Sequence, residues 1–173
     1  MNERDSEAVI CKLLESGHEI TEREESADII LLNTCSVREK AEQKAIGKAS
    51  RILNTSGKSK PTVGILGCMA QNRGQSLFQE LPGLGLVVGT QKFHQVPDLL
   101  EKTKHQKHVI DLAEEIGSQN EIKHHTNQKN GPSAFVSIMQ GCNMNCTFCI
   151  VPKTRGGERY RPMQEILDEI YQL

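Results

Sequence analysis

Three short apolar runs set the terms for this fold: DIILLNTCSV at 28–37, PTVGILGCMAQ at 61–71 and LGLVVGT at 84–90. Unbroken apolar character over so few residues is the pattern of a strand buried on both faces, as in a parallel sheet. Helical segments separate them. Residues 3–17 predict a helix with Ile10, Leu13, Leu14 and Gly17 on one side, stopping at Gly17. The Ala- and Lys-rich stretch 38–53 predicts a long helix, and FHQVPDLLEK another after the third strand. Strands alternating with helices imply an α/β fold, a parallel sheet of the doubly wound type, whose functional groups gather at the strands' carboxyl ends. Cys35 and Cys68 both fall at such ends, the second in a small-residue turn.

Beyond this region the chain changes character. Residues 112–132, LAEEIGSQNEIKHHTNQKNGP, are polar, lack a sustained apolar period and end in Gly-Pro, as an interdomain connection would. A new strand is expected from 133, in SAFVSIMQGC, followed by a cysteine-rich loop. MQEILDEIYQL at 163–173 then predicts an amphipathic helix with Ile166, Leu167, Ile170 and Tyr171 inward. The expected division is 1–111, a connection at 112–132, and 133–173 as the start of a second, truncated domain.

Bulk properties exclude several classes. With 21 Lys+Arg against 22 Asp+Glu, net charge does not point to a polyanionic partner, so a nucleic-acid surface would have to be local. Two Tyr, four Phe and no Trp argue against many base-stacking platforms. No apolar run approaches the roughly 20 residues needed to cross a bilayer, and the charged start MNERDSEAV is unlike a secretory signal. A cytoplasmic protein without a membrane partner is expected, in which clustered cysteines serve as metal ligands or redox groups rather than disulfides.

QGCNMNCTFCIVPKTRGGERYRP, at 140–162, holds Cys142, Cys146 and Cys149 in a C-x3-C-x2-C spacing. Thiolates suit zinc or iron–sulfur clusters. Structural zinc takes four protein ligands, yet no second cysteine pair follows Cys149, and the nearest imidazoles are His124 and His125 upstream. A cubic iron–sulfur cluster held by three cysteines keeps one iron open to another ligand. Cys11, mid-helix beside the apolar stripe, is read as structural. Lys153, Arg155, Arg159 and Arg161 form a short basic stretch beside the loop: surface charges on a turn, or phosphate contacts if the substrate is RNA.

The loop, including Phe148 directly before the last cysteine, resembles the signature of the radical S-adenosylmethionine superfamily. CTFCIVP followed by TRGGERYRP is similar to the methylthiotransferases within it. NTCSVREKAEQKA (33–45) and GCMAQ (67–71) resemble that family's two internal cysteine motifs, and MNERDSE (1–7) resembles the stretch just after its first cysteine. SVREKAEQKA looks most like the branch acting on isopentenylated adenosine in tRNA.

The resemblance implies two [4Fe-4S] clusters. Cys142, Cys146 and Cys149 would hold the one that binds S-adenosylmethionine and reductively splits it to a 5′-deoxyadenosyl radical, with Phe148 near the bound adenine. Cys35 and Cys68 would hold the second, their third partner expected two residues before Met1. No catalytic acid or base is assigned. The implied enzyme is a transferase of sulfur-containing groups that places a methylthio group at C2 of N6-isopentenyladenosine in the tRNA anticodon stem-loop. It would need a reducing electron donor and an unspecified sulfur donor. The rest of the barrel and an RNA-binding module are expected beyond this chain, which by itself should be inactive. Two alternatives stay open: a sister enzyme for threonylcarbamoyladenosine or a ribosomal protein, and a non-enzymatic zinc module gripping RNA, its site completed by a histidine of the connection.

Overall fold

The computed structural model describes residues 2–55, 60–115 and 133–172. The first two stretches build a four-stranded, all-parallel sheet in the order β1 (Ile29–Thr34), β2 (Thr62–Gly67), β3 (Leu86–Val88), β4 (Val109–Asp111). Helices cover both faces, as the apolar runs require. On one face α2 (Glu39–Asn54) lays Ile46, Ala49 and Ile52 against Val63, Ile65 and Val87, with α3 (Cys68–Arg73) and α4 (Ser76–Glu80) adding Met69 and Leu77. On the other, α1 (Asn2–Glu15) and α5 (Val96–Thr103) pack Val9, Val96, Leu99 and Leu100 on Leu66, Leu86 and Val88. The alternation along β2 and β3 splits each strand's side chains between the two cores. Each fully buried Leu or Val contributes on the order of 2 kcal/mol.

α1 ends where expected. Gly17 takes φ +84° and the His18 amide reaches back to the Leu13 carbonyl, closing the last turn. Its buried face, however, carries Arg4, Asp5, Ala8, Val9 and Cys11, while Leu14 is exposed. Two polar residues that the apolar period passes over are thus inside. β4 has little signature in the sequence, being three residues long with an exposed Ile110. Residues 112–115, where the connection is expected to begin, make contacts with the sheet domain: Leu112 packs on the α2 core, and the Glu115 amide donates to Gln91 Oε1 at 2.8 Å.

The third stretch departs further from expectation. The strand predicted from 133 shrinks to β5 (Met139–Gln140), paired antiparallel with β6 (Arg159–Tyr160), because β6 is the one ladder partner within reach among the described residues. Between them lie the cysteine loop and α6 (Val151–Arg155); α7 (Met163–Gln172) comes after β6. In α7 the expected inward stripe holds at half-buried Ile166 and fails at its other three positions. Leu167, Ile170 and Tyr171 are exposed, and Glu169, 5 % exposed, is the buried residue. Its carboxylate is drawn inward by Arg4 at 3.1 Å and Arg161 at 2.5 Å.

One turn positions the sheet's cysteines. β2 passes into α3 at Gly67 with no intervening loop, so Cys68 opens a helix rather than sitting in the expected turn. Gly67 has φ +92°, and a Cβ there would lie 2.6 Å from Asn33 Oδ1 and from the Thr34 carbonyl. Gly67→Ala should therefore cost about 3 kcal/mol, the upper range for a strained left-handed residue, read as a lowered urea midpoint. A midpoint equal to the parent's would show that the turn tolerates a side chain.

Candidate functional site

Thr34 and Gly67 are register partners in adjacent parallel strands, so Cys35 and Cys68 emerge side by side at the sheet's carboxyl end. Thr34 Oγ1 donates to the Leu66 carbonyl at 2.7 Å, and Asn33 Nδ2 donates to Ser6 Oγ at 2.9 Å, fixing this crest to α1. Cys35 is half-buried, its Sγ accepting from the Val37 amide at 3.5 Å; Cys68 is buried. Both are free thiols, as are the other four cysteines. Cys11 is buried in the α1 face, where burial pushes its thiol pKa up, in keeping with a structural role.

The cysteine loop closes on itself. Its start and end meet where the Cys142 amide donates to the Gly156 carbonyl at 3.1 Å. Gly141 makes the approach possible: at φ +79°, a Cβ would fall 2.0 Å from the Gly157 carbonyl oxygen. A reciprocal clasp lies beside it, the Asn143 amide donating to Glu158 Oε1 at 3.2 Å and the Glu158 amide to Asn143 Oδ1 at 2.9 Å. Tyr160 donates its hydroxyl to the other Glu158 oxygen. That bond first, and the Asn143 amide second, hold the Glu158 carboxyl below the usual glutamate range; the same bond pushes the Tyr160 hydroxyl up. Within the loop the Cys149 amide donates to the Cys146 carbonyl at 3.0 Å, and Met144 N–H reaches Cys142 Sγ at 3.4 Å.

Cys142 and Cys149 are half-buried and Cys146 is exposed. All three thiols sit on one accessible loop without converging: among the described residues no three His, Cys, Asp or Glu side chains form a metal-holding group. Phe148, expected to pack near a bound adenine, is 92 % exposed. His124 and His125 lie outside the described residues.

α6 joins the loop to the crest, for it packs against α3, the helix that Cys68 opens. Thr90 Oγ1, just past β3, donates to the Thr154 carbonyl at 2.6 Å in a buried contact. Arg155, 5 % exposed, pairs with Asp5 of α1 at 2.5 Å. Burial opposes the guanidinium's charge, but Asp5 and then Cys68 outweigh it and hold the pKa above the ordinary arginine value. Arg155 Nη1 is buried and has no hydrogen-bond partner among the described residues. Arg161 is likewise buried, donating to the Ser137 carbonyl at 2.7 Å and pairing with Glu169.

These contacts overturn the surface-turn reading of the basic stretch. Arg155 and Arg161 face inward onto acidic partners. Arg159 is half-buried, donating to the Arg155 carbonyl at 2.9 Å, and burial lowers its pKa. Of the four, Lys153 alone is exposed. Sequence reasoning misses Asp5, Asn143, Glu158 and Glu169. Asp5 and Glu169 sit in helices that read as solvated charge, and Asn143 and Glu158 lie fifteen positions apart with no periodic signal between them.

Residues 1–89 match the family described as "Uncharacterized protein family UPF0004". The chain belongs to this family. Residues 136–173, from just before the cysteine loop to the end of α7, match the radical SAM superfamily. Curated relatives extend over the whole chain. One from Opitutus terrae is 50 % identical over 204 residues, covering 100 % of this chain and 42 % of its own length. One from Akkermansia muciniphila is 47 % identical over 190 residues, covering 100 % and 41 %. A third, from Methylacidiphilum infernorum, is 49 % identical over 179 residues, covering 100 % and 38 %. Each is named tRNA-2-methylthio-N(6)-dimethylallyladenosine synthase. The chain thus spans about two-fifths of the length of the relatives it matches. Among the described residues no helix is long and apolar enough to cross a membrane.

Because Glu158 titrates below the usual range, its clasp on Asn143 should persist from neutrality through the ordinary glutamate pKa. It should open only as pH falls through the depressed value. The Asn143 amide resonance, followed by NMR during acid titration, should report that late transition. A midpoint at or above the ordinary glutamate value would contradict the clasp.

Proposed function

We propose that this chain is the amino-terminal part of a radical S-adenosylmethionine tRNA methylthiotransferase acting on N6-isopentenyladenosine of the anticodon stem-loop. The observation that carries the reading is the seating of a self-closed three-cysteine loop, through α6, on the crest that presents Cys35 and Cys68. The relatives' shared name gives the substrate class, and the loop's donor set fits the cofactor: three accessible thiols with no disulfide or core packing to compete for them.

In this reading Cys142, Cys146 and Cys149 would hold one iron–sulfur cluster, and Cys35 and Cys68 would serve as ligands of a second. Bound and reduced, the first cluster supplies the electron that cleaves S-adenosylmethionine; the cofactor carries that chemistry, and the protein orients and shields it. The chain's own residues perform the orienting. Gly141 and the Asn143–Glu158 clasp fix the mouth of the loop. Phe148, exposed beside Cys149, offers an apolar ring to an adenine, and Lys153 offers a charge to an RNA phosphate. The orphaned Arg155 Nη1 fits a sulfur-rich, electron-rich group at Cys68. We further assign 1–111 to the family domain, 112–132 to a connection and 133–173 to the first part of the radical domain, in a cytoplasmic enzyme served by a reducing electron donor and a separate sulfur source.

Anaerobically reconstituted full-length gene product should be brown, contain iron and acid-labile sulfide, and cleave S-adenosylmethionine under reduction. Cys142→Ala should abolish the cleavage. Nucleosides from a deletion strain should lose the methylthio group from isopentenyladenosine. Stoichiometric zinc without sulfide would reject the enzyme reading in favour of a zinc module. Loss confined to threonylcarbamoyladenosine would move the protein to the sister branch.

A further inference from the structure

Arg155 ends α6, the helix that follows the cysteine loop and packs on α3, which Cys68 opens. Its backbone belongs to α6, six residues after Cys149, and its guanidinium reaches Asp5 of α1. One arm, Nη2, is spent on Asp5 at 2.5 Å. The other, Nη1, is shielded from solvent and lacks a hydrogen-bond partner among the described residues. Leaving a charged donor unsatisfied in a buried site costs on the order of several kcal/mol. The arrangement therefore makes sense when that donor has an acceptor, and the sulfur site at Cys68 opens the helix, α3, on which α6 packs.

We infer that Arg155 is a positioning residue for the sulfur centre at Cys68: anchored on Asp5 by one arm, it offers the other to an acceptor sulfur of the iron–sulfur cluster held there. The inference rests on the proposed ligation by Cys35 and Cys68. A cation and donor beside a cluster stabilise its reduced, more negative state, so Arg155 raises the cluster's reduction potential. The two halves are thereby coupled: the potential of the Cys35/Cys68 cluster depends on a residue of the segment that binds the other. Thr90, bonded to the Thr154 carbonyl, and Arg159, bonded to the Arg155 carbonyl, hold the α6 backbone so that the guanidinium cannot retreat.

The test uses the full-length gene product with Cys142, Cys146 and Cys149 changed to Ala, which isolates the second cluster. Iron and sulfide content are measured first, then the reduced fraction by EPR during a redox titration. Arg155→Gln removes the charge and Arg155→Lys keeps it for Asp5 while losing the second arm. Both should retain iron and sulfide, with the reduced-to-oxidised ratio at a fixed potential falling about tenfold in the Gln variant. For one electron that is a downward shift of about 59 mV. The Lys variant should move the same way. A purely structural role predicts an unmoved potential in the Lys variant, and that result overturns the inference. Should the Gln variant fail to fold, the parent labelled with 15N-arginine decides. A nitrogen hyperfine coupling to the reduced cluster supports the contact, and its absence overturns it. A parent protein lacking iron and sulfide would instead defeat the cluster reading itself, an outcome visible before any Arg155 variant is made.

Discussion

A buried arginine reaching a buried aspartate holds this structure in its functional arrangement. Asp5 sits in the first turns of α1, Arg155 at the end of α6, and 150 positions of sequence separate them. Beside them Glu169 of α7 is shared by Arg4 and Arg161. These five side chains are between 2 % and 6 % exposed, so each has given up nearly all of its hydration. Such pairs add little net stability compared with apolar packing, yet removing one partner costs about 3–5 kcal/mol because the other is stranded. Their effect is to fix register. Of the arrangements that would cover the apolar faces, few also bring three guanidinium groups onto two carboxylates.

That constraint is what joins the cysteine motifs. A parallel sheet presents its strand ends in a row, so Cys35 and Cys68 become neighbours through β1–β2 pairing alone. The second motif has no such scaffold: β5 and β6 are two residues each. Its position comes from the Gly141 crossing, the Asn143–Glu158 clasp and the docking of α6 on α3. A loop held at its mouth and open in its middle suits a group that must meet a small molecule and a large substrate together.

The range of the forces decides how much of this is legible in the sequence. Strands β1 to β3, helices α1, α2 and α5, and the placement of Cys35 and Cys68 are readable, because burial on two faces and turn chemistry write themselves into short windows. The Gly17 stop is such a local signal. The polarity of α7 is not readable. Its apolar stripe of Ile166, Leu167, Ile170 and Tyr171 predicts an inward face, but only Ile166 is half-buried, and Glu169 wins the interior through Arg161 and the distant Arg4. The basic stretch misleads for the same reason, since Arg155 and Arg161 find their acidic partners through tertiary contact. The long strand expected from 133 fails because backbone needs a ladder partner, and β6 supplies two residues of it.

The Asp5–Arg155 pair couples the sheet to the cysteine-loop segment, and a double-mutant cycle measures that coupling. Asp5→Asn, Arg155→Met and their combination would be compared by denaturant unfolding of the full-length gene product. A coupling free energy of about 2–3 kcal/mol is expected, within the range for contacting charged partners. Effects that add to within about 0.5 kcal/mol would mean that the two residues act independently and that something else holds the cysteine motifs together.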